Sequence, residues 1–472
     1  MMGMLDGARE EPDRSVFDFQ GVFSPRDGKK YFQFPFQVQN GASKIVVKVE
    51  YDKTSENVLY LQLYDYRNFR GIGKSSDNGQ KKQLSIIITP THASPGAIFG
   101  NLPRGRWVAE IDADEIPMTC KYNLTIEVYY HTKVNTRFAI KKPKYKERIL
   151  IPEENWYKGD LHIHSIESDG REQVREIIQE ARDVGLDFIA ITDHNTISPW
   201  QYFKRYKDIL LIPGVELSTH DGHANAIGLE DWVDWRLGYR NRTIQHVIQD
   251  THDQGALFSI NHPGIRNEKG EESFRIKNID IATIDCIEIW NGPWTKHQVQ
   301  ANKRARDLWT QWLNEGYRIT AIAGSDLHSL KTYGVHLGKL INHVYSKNLS
   351  QLALLEAIKG GRVFLSMGPK VYFTANDGMD CYMIGDIIKT NKNRKITFSI
   401  HAVNVDSRME IRVIKDGQVL ECYESQGKEP VALCFQEEVS QKAWYRIEIH
   451  DKSAKDTMDS LLAITNPIYI EE

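Results

Sequence analysis

Between Lys158 and about Pro369 short apolar runs alternate with amphipathic stretches, and this alternation limits the possible folds more than any other feature of the chain. Residues 171–184 (REQVREIIQEARDV) place Val174, Ile177, Ile178 and Ala181 on one helical face, with Gly185 positioned to end the helix. Residues 188–192 (FIAIT) follow as a buried strand. The pattern repeats with strands over 210–216, 256–260, 286–290 and 319–323 and helices over 243–254 and 297–314. Repeated βα units predict a parallel sheet, most simply a barrel, over residues 155–369.

The flanks read differently. Period-two alternation in residues 44–51 (KIVVKVEY), 58–64 (VLYLQLY) and 122–130 (YNLTIEVYY), without intervening helices, predicts a β-sandwich over residues 1–145. A charged, proline-containing stretch at 141–148 (KKPKYKER) is the expected linker. Beyond Pro369 the alternation returns in residues 395–401, 409–415 and 444–450, with Asp416-Gly417 as a hairpin signal, so residues 370–472 are expected to form a β-rich, immunoglobulin-like domain.

Polar groups follow most of the central strands: His162-Ile163-His164, Ser168-Asp169-Gly170, Thr192-Asp193-His194-Asn195, Glu216, Gly222-His223, Asn261-His262-Pro263, Glu288-Ile289-Trp290-Asn291 and Ser325-Asp326-Leu327-His328. The C-terminal ends of parallel strands open onto one face, so these groups can converge. His162 and His164, two apart on a strand, point the same way, and Asp326 and His328 repeat the geometry. Any one histidine could be a hydrogen-bonded core or loop residue. Together they are costly to bury without a counter-ion. Ten of the 16 histidines lie between His162 and His328, against about 5.7 for even spreading. Imidazole and carboxylate without thiolate suit Mn²⁺, Fe²⁺ or Zn²⁺, and nine groups fit two or three ions.

In that order the motifs HxH, DH, Glu, His, His, DxH resemble the polymerase-and-histidinol-phosphatase (PHP) superfamily of metallohydrolases, most closely its CehA/McbA-type branch. The resemblance implies a distorted (β/α)7 TIM-like barrel and a trinuclear site. His162, His164 and Asp326 would take one ion, and Glu216 would bridge to a second held by His223 and His262. Asp169, His194 and His328 would take a third. Many superfamily members have histidine where this chain has Asp169.

Ligand charge bears on the substrate. Three divalent ions, three carboxylates and a bridging hydroxide leave about +2, and two ions leave about 0. The surplus favours a small-molecule phosphate ester, attacked in line by metal-bridged hydroxide, with Asp169 and Glu216 in the catalytic set. A neutral site would serve a carbamate or carboxylic ester, and a third reading is a non-catalytic, metal-stabilised binding protein. Arg266 is the candidate phosphate-binding cation, its alternative a solvated surface arginine. Asp193 and Asp160 are expected to orient ligand histidines or else to cap helices. Trp290, Asn291 and Trp294 are expected to floor a pocket or pack in the core, and His220 is the rival of His223. Basic residues 303–306 read as a solvated helix face.

A balance of 60 Lys+Arg against 63 Asp+Glu disfavours general nucleic-acid binding, and no run approaches a membrane span. The start, MMGMLDGAREEPDRS, lacks the apolar core of a secretory signal. Five scattered cysteines without CxxC spacing argue against a disulfide framework, so a cytoplasmic location is expected.

Overall fold

The computed structural model describes residues 9–11, 13–52, 56–78, 81–130, 148–266, 270, 272–292, 295–331, 336–390, 394–427, 430–454 and 460–471. Most of the 141–148 linker and Trp294 lie outside the described residues.

The N-terminal region consists of two antiparallel sheets. Arg14–Phe23, Cys120–Tyr130, Ala42–Asp52 and Lys81–Ile88 lie side by side in one, and Lys30–Val38, Gly105–Glu115, Val58–Tyr64 and Phe69–Ile72 in the other. Strict alternation explains the core: Leu59, Leu61 and Leu63 from one sheet meet Val47, Ile86 and Ile126 from the other around Trp107, all buried. The opposite face of Val58–Tyr64 and Gly105–Glu115 carries Tyr60, Gln62, Glu110 and Asp112, and it packs on the central region.

The central region is a mixed α/β layer. Thr320–Gly324, Cys286–Asn291, Leu257–Ile260, Gly222–Ile227, Leu210–Thr219, Phe188–Ile191 and Asn155–Asp160 are adjacent in that order. Phe188 and Ala190 enter one apolar core. Ile189 and Ile191 enter a second core with Ile163 and the buried stripe Val174, Ile177, Ile178 and Ala181 of helix Val174–Asp183. Both faces of that strand are covered, which is why it reads as a continuous apolar run.

This sheet departs from the expected regular alternation of parallel strands and helices. Thr219 pairs with Gly222 across His220-Asp221, so a tight hairpin replaces a helical crossover and Gly222–Ile227 runs antiparallel to both neighbours. Asn155–Asp160 likewise pairs antiparallel with Ile341–Ser346. The ends of the seven-strand run nevertheless approach each other. Asp326 N donates to His162 O (3.0 Å) and His164 N to Leu327 O (2.9 Å).

The sheet also continues past the boundary expected near residue 369. Ile341–Ser346 pairs with Val363–Ser366, which pairs with Leu461–Thr465, followed by Ala443–Asp451, Met409–Lys415 and Gln418–Glu424. Asp416 (φ 49°) and Gly417 (φ 84°) form the two-residue turn that their sequence signals. No helix among the described residues is long and apolar enough to cross a membrane.

Candidate metal centre

Six histidines and three carboxylates from distant parts of the chain converge where the central strands end. His162 and His164 follow Asn155–Asp160, and their Nε2 atoms lie 3.1 Å apart. Both face Asp326 Oδ1 (3.4 and 3.1 Å) and Glu216 Oε2 (3.4 and 3.3 Å). Glu216, buried in Leu210–Thr219, divides its two oxygens. Oε2 faces His162, His164 and His194 (3.1 Å), while Oε1 faces His223 and His262, both at 3.2 Å. A carboxylate spanning two sets of imidazoles has the geometry of a bridge. Asp169 lies 3.2 Å from His328 Nε2, 3.5 Å from His194 Nε2 and 3.7 Å from His164 Nδ1.

Ligand atoms close enough to share an ion form four overlapping groups. His162, His164 and Asp326 coincide with the first expected set. Asp169, His194 and His328 coincide with the third, with His164 added. The second is arranged differently: His223 groups with His194 and Glu216, and His262 with His162 and Glu288.

The donors suit a divalent ion. His162 Nδ1 lies 3.0 Å from Glu288 Oε1, and His328 Nδ1 lies 2.9 Å from the Asp326 carbonyl oxygen. A proton on each Nδ1, donated to those oxygens, leaves the Nε2 lone pairs facing the cluster. Among the described residues His164 Nδ1 is buried without a hydrogen-bond partner. The electrostatics agree. Burial opposes a charge on His162, yet Glu288, Glu216 and Asp326 raise its pKa well above the ordinary value. His164, buried but bonded to Asp326 and Glu216, is raised to about 10. Despite their burial, Glu216 and Asp326 are held well below the usual carboxylate range by the neighbouring imidazoles, and the same balance lowers Asp169. The cluster attracts positive charge, and a metal ion competes with protons for it. Two members adopt left-handed backbone conformations, His262 (φ 30°) and Asp326 (φ 51°), a strain of about 1–3 kcal/mol each that concentrates at functional sites.

Glu288, 1% exposed, is a strand-end group to which the sequence motifs assign no role. It accepts from His162 Nδ1, from the His262 backbone N–H (3.0 Å) and from Asn291 Nδ2 (3.1 Å). Asn291 also donates to Asp326 Oδ2 (3.4 Å) and accepts from Gln298 (2.7 Å), so it braces the carboxylates and does not floor a pocket. Trp290 belongs to the central hydrophobic core. Asp160 accepts from the backbone N–H groups of His162 (3.1 Å) and Ser325 (3.2 Å), and burial lifts its pKa to about 6. It fixes the backbone of His162 and bonds no imidazole. Asp193 departs from expectation in the same way: it accepts the N–H and Oγ–H groups of both Ser165 and Ser168 and holds the turn leading to Asp169. Arg266 is exposed and faces Glu272 at 3.8 Å, and no described contact ties it to the ligands. Between the rivals, His223 joins the cluster, and His220 turns away to Asp112 of the N-terminal sheet (2.7 Å).

A cleft of about 490 Å³ opens beside Asp169, His194 and His223, its opposite wall formed by N-terminal residues including Tyr60, Lys74 and Asp114. A larger one of about 650 Å³ along the same interface, around Arg236 and Tyr239, contains none of the ligands.

An uncharacterized protein of Methanocaldococcus jannaschii is 25% identical over 167 residues, 32% of this chain and 93% of that protein. The DNA polymerase/3′-5′ exonuclease PolX of Bacillus subtilis is 24% identical over 216 residues, 40% of this chain but only 37% of PolX. A solved two-domain protein from Bacteroides vulgatus, containing a predicted PHP-like metal-dependent phosphoesterase, shares 19% identity at a TM-score of 0.37, covering 68% of this chain and 99% of its own. These relatives do not specify the CehA/McbA-type branch. Residues 160–278, which carry seven of the nine converging side chains, match the PHP domain family.

Proposed function

We propose that the chain is a metal-dependent hydrolase of phosphate esters. The observation that carries this reading is the convergence of His162, His164, His194, His223, His262 and His328 on Asp169, Glu216 and Asp326 beside an open cleft. Such a set binds Mn²⁺, Fe²⁺ or Zn²⁺ through imidazole and carboxylate. Divalent ions held there would supply Lewis acidity toward the ester and its attacking water.

The protein's own residues do the rest. Glu288 and the Asp326 carbonyl oxygen keep the protons of His162 and His328 on Nδ1, so the Nε2 atoms face inward. Glu216 spaces two groups of imidazoles, and Asn261 Nδ2 donates to its Oε1 at 2.9 Å, fixing the carboxylate. Asp169 lies at the boundary of cluster and cleft, 55% exposed, where it meets an entering substrate. Three divalent ions bring +6 against −4 from Asp169, Glu216, Glu288 and Asp326 and −1 from a hydroxide, and a phosphate ester complements the remaining surplus of about +1 better than a neutral ester does. The cleft has the size of a small-molecule site. The partial match to an exonuclease makes phosphodiesters a reasonable arm of the test.

The test is turnover of nitrophenyl phosphate mono- and diesters beside carboxylic and carbamate esters after Mn²⁺ loading. Phosphate esters are expected to be the better substrates, and replacing both His162 and His164 with Ala should abolish turnover without unfolding the flanking regions. Turnover of carboxylic or carbamate esters alone would overturn the phosphoesterase reading.

A further inference from the structure

The loop that presents Asp169 is held from two sides. From the central region, Asp193 binds Ser165 and Ser168. From the N-terminal sheets, the Lys74 ammonium donates to the Ile166 carbonyl oxygen (3.1 Å) and to the Ser168 carbonyl oxygen. One loop further on, the Gly96 N–H donates to Glu167 Oε2 (2.8 Å), the oxygen that also accepts from Ser198 Oγ (2.7 Å). Gly96 (φ 84°) lies so close that an added Cβ would come within 3.0 Å of the Glu167 carbonyl oxygen. Three consecutive residues ahead of Asp169 are therefore bonded to N-terminal groups.

Among the described ion pairs Lys74 is not joined to Asp169. Its hydrogens go to carbonyl oxygens instead, and the Asp169 carboxylate stays with His164, His194 and His328. Lys74 also lines the cleft beside Asp169 and His194. Free, this short loop would sample many backbone conformations, and only some would bring Asp169 to the three imidazoles.

We propose that the N-terminal sheets are part of the catalytic centre, with Lys74 the positioning residue that sets the Asp169 loop and thereby the affinity of the ion position formed by Asp169, His194 and His328. The inference rests on the metal-centre reading above. It assigns the flanking region a role in the reaction: fixing the most exposed carboxylate of the cluster.

Full-length wild type, Lys74→Met, Lys74→Arg and Asp169→Asn are titrated with Mn²⁺ against a fluorescent chelator, with bound metal counted by elemental analysis and folding followed by thermal unfolding. Wild type should exceed Asp169→Asn by one ion. Lys74→Met should weaken the weakest ion at least tenfold and leave the tighter ones within threefold, with Lys74→Arg recovering much of the loss. In nitrophenyl phosphate assays Lys74→Met should then lose kcat at low Mn²⁺ and regain it at high Mn²⁺, which a merely structural contact would not produce. Equal affinities at every position in wild type and Lys74→Met would overturn the proposal, as would a wild type with no more ions than Asp169→Asn. If Lys74→Met unfolds, an unchanged weakest-ion affinity in a folded Lys74→Gln chain overturns it equally. A wild type that binds no metal overturns the metal-centre reading itself.

Discussion

Replacing Glu288 with Gln removes one negative charge and almost no volume. Glu288 Oε1 accepts from His162 Nδ1, while Oε2 accepts from the His262 N–H and from Asn291 Nδ2. A glutamine has one accepting oxygen and one NH₂ group. If its oxygen faces His162, its NH₂ meets two other donors and the His262 turn is disturbed. Turned the other way, its NH₂ faces His162 Nδ1, which must become the acceptor, moving the imidazole proton to Nε2. That proton occupies the lone pair that faces Glu216 and Asp326. Either orientation impairs a ligand, and loss of such a supporting carboxylate costs about 10- to 100-fold in metal affinity, roughly 1.4–2.7 kcal/mol. Chelator-competition titration of the Glu288→Gln chain with Mn²⁺ and Zn²⁺ measures it directly, with circular dichroism to verify the fold. Affinities within twofold of wild type for both metals would refute the assignment of Glu288 as the group that fixes His162.

Two further predictions concern the interfaces of the central region. Asp112 is buried and His220 half-buried, 2.7 Å apart, and the hydrogen bond that Asp112 accepts from His220 raises the His220 pKa against the effect of burial. A folded-state pKa above the unfolded one means stability that is present at low pH and lost as pH rises through the folded value. The advantage of wild type over His220→Gln in urea unfolding should therefore shrink as pH rises above about 6.5, and a gap that does not change with pH would remove this pair from the docking account. At the C-terminal junction the buried Asn466 side chain accepts from Ala321 N (2.8 Å) and donates to the carbonyl oxygens of Ala321 (3.0 Å) and Val363 (2.9 Å). Asn466→Ala removes the side-chain partner of Ala321 N and O, while the Val363 carbonyl oxygen keeps the backbone N–H of residue 466 (3.1 Å); it should cost about 2–4 kcal/mol in urea unfolding, and a loss below about 1 kcal/mol would contradict the bridging role.

The elements that the sequence specifies locally are those with an uninterrupted period. The Val174–Asp183 helix buries the stripe its spacing predicts, and Val58–Tyr64 and Met409–Lys415 form over the residues whose alternation marks them. Histidine order locates the cluster because His162, His164, His194, His262 and His328 follow strands and His223 opens the Gly222–Ile227 strand. The role of Glu288 is hidden for a structural reason. Its strand pairs Glu288 with Ile322 and Trp290 with Ala323, skipping Ile289, so a bulge breaks the two-residue period. Counting by twos puts Glu288 and Trp290 on one face, whereas the fold sends one to the ligands and the other to the apolar core. The signal that remained was an acid inside an apolar strand, CIEIWN, which must find a partner when buried. The partner of Asp193 is not legible in the sequence, because a carboxylate beside a ligand histidine has the same signature whether it bonds the ring or a neighbouring turn.

The hardest feature to read was the polar face of the N-terminal sheets. Alternation in VLYLQLY and GRWVAEIDADE separates two faces, and the polar one is ordinarily solvated. Here Glu110 and Gln62 are fully buried and Asp112 nearly so. They are tolerated because the central region supplies polar partners: Arg236 donates to Glu110 (2.6 Å) and His220 bonds Asp112. A period-two pattern records which side chains share a face. It says nothing about whether water or another part of the chain covers that face. The two coverings imply different proteins: a solvated face makes the β region an appendage, while a face covered by His220, Arg236 and the Asp169 loop makes it a wall of the cleft. Since His220 is three residues from His223 and the Lys74 contacts precede Asp169, the surface that stabilises docking is continuous with the surface that positions ligands. Substitutions that loosen the docking should therefore reach the metal centre before they unfold the chain.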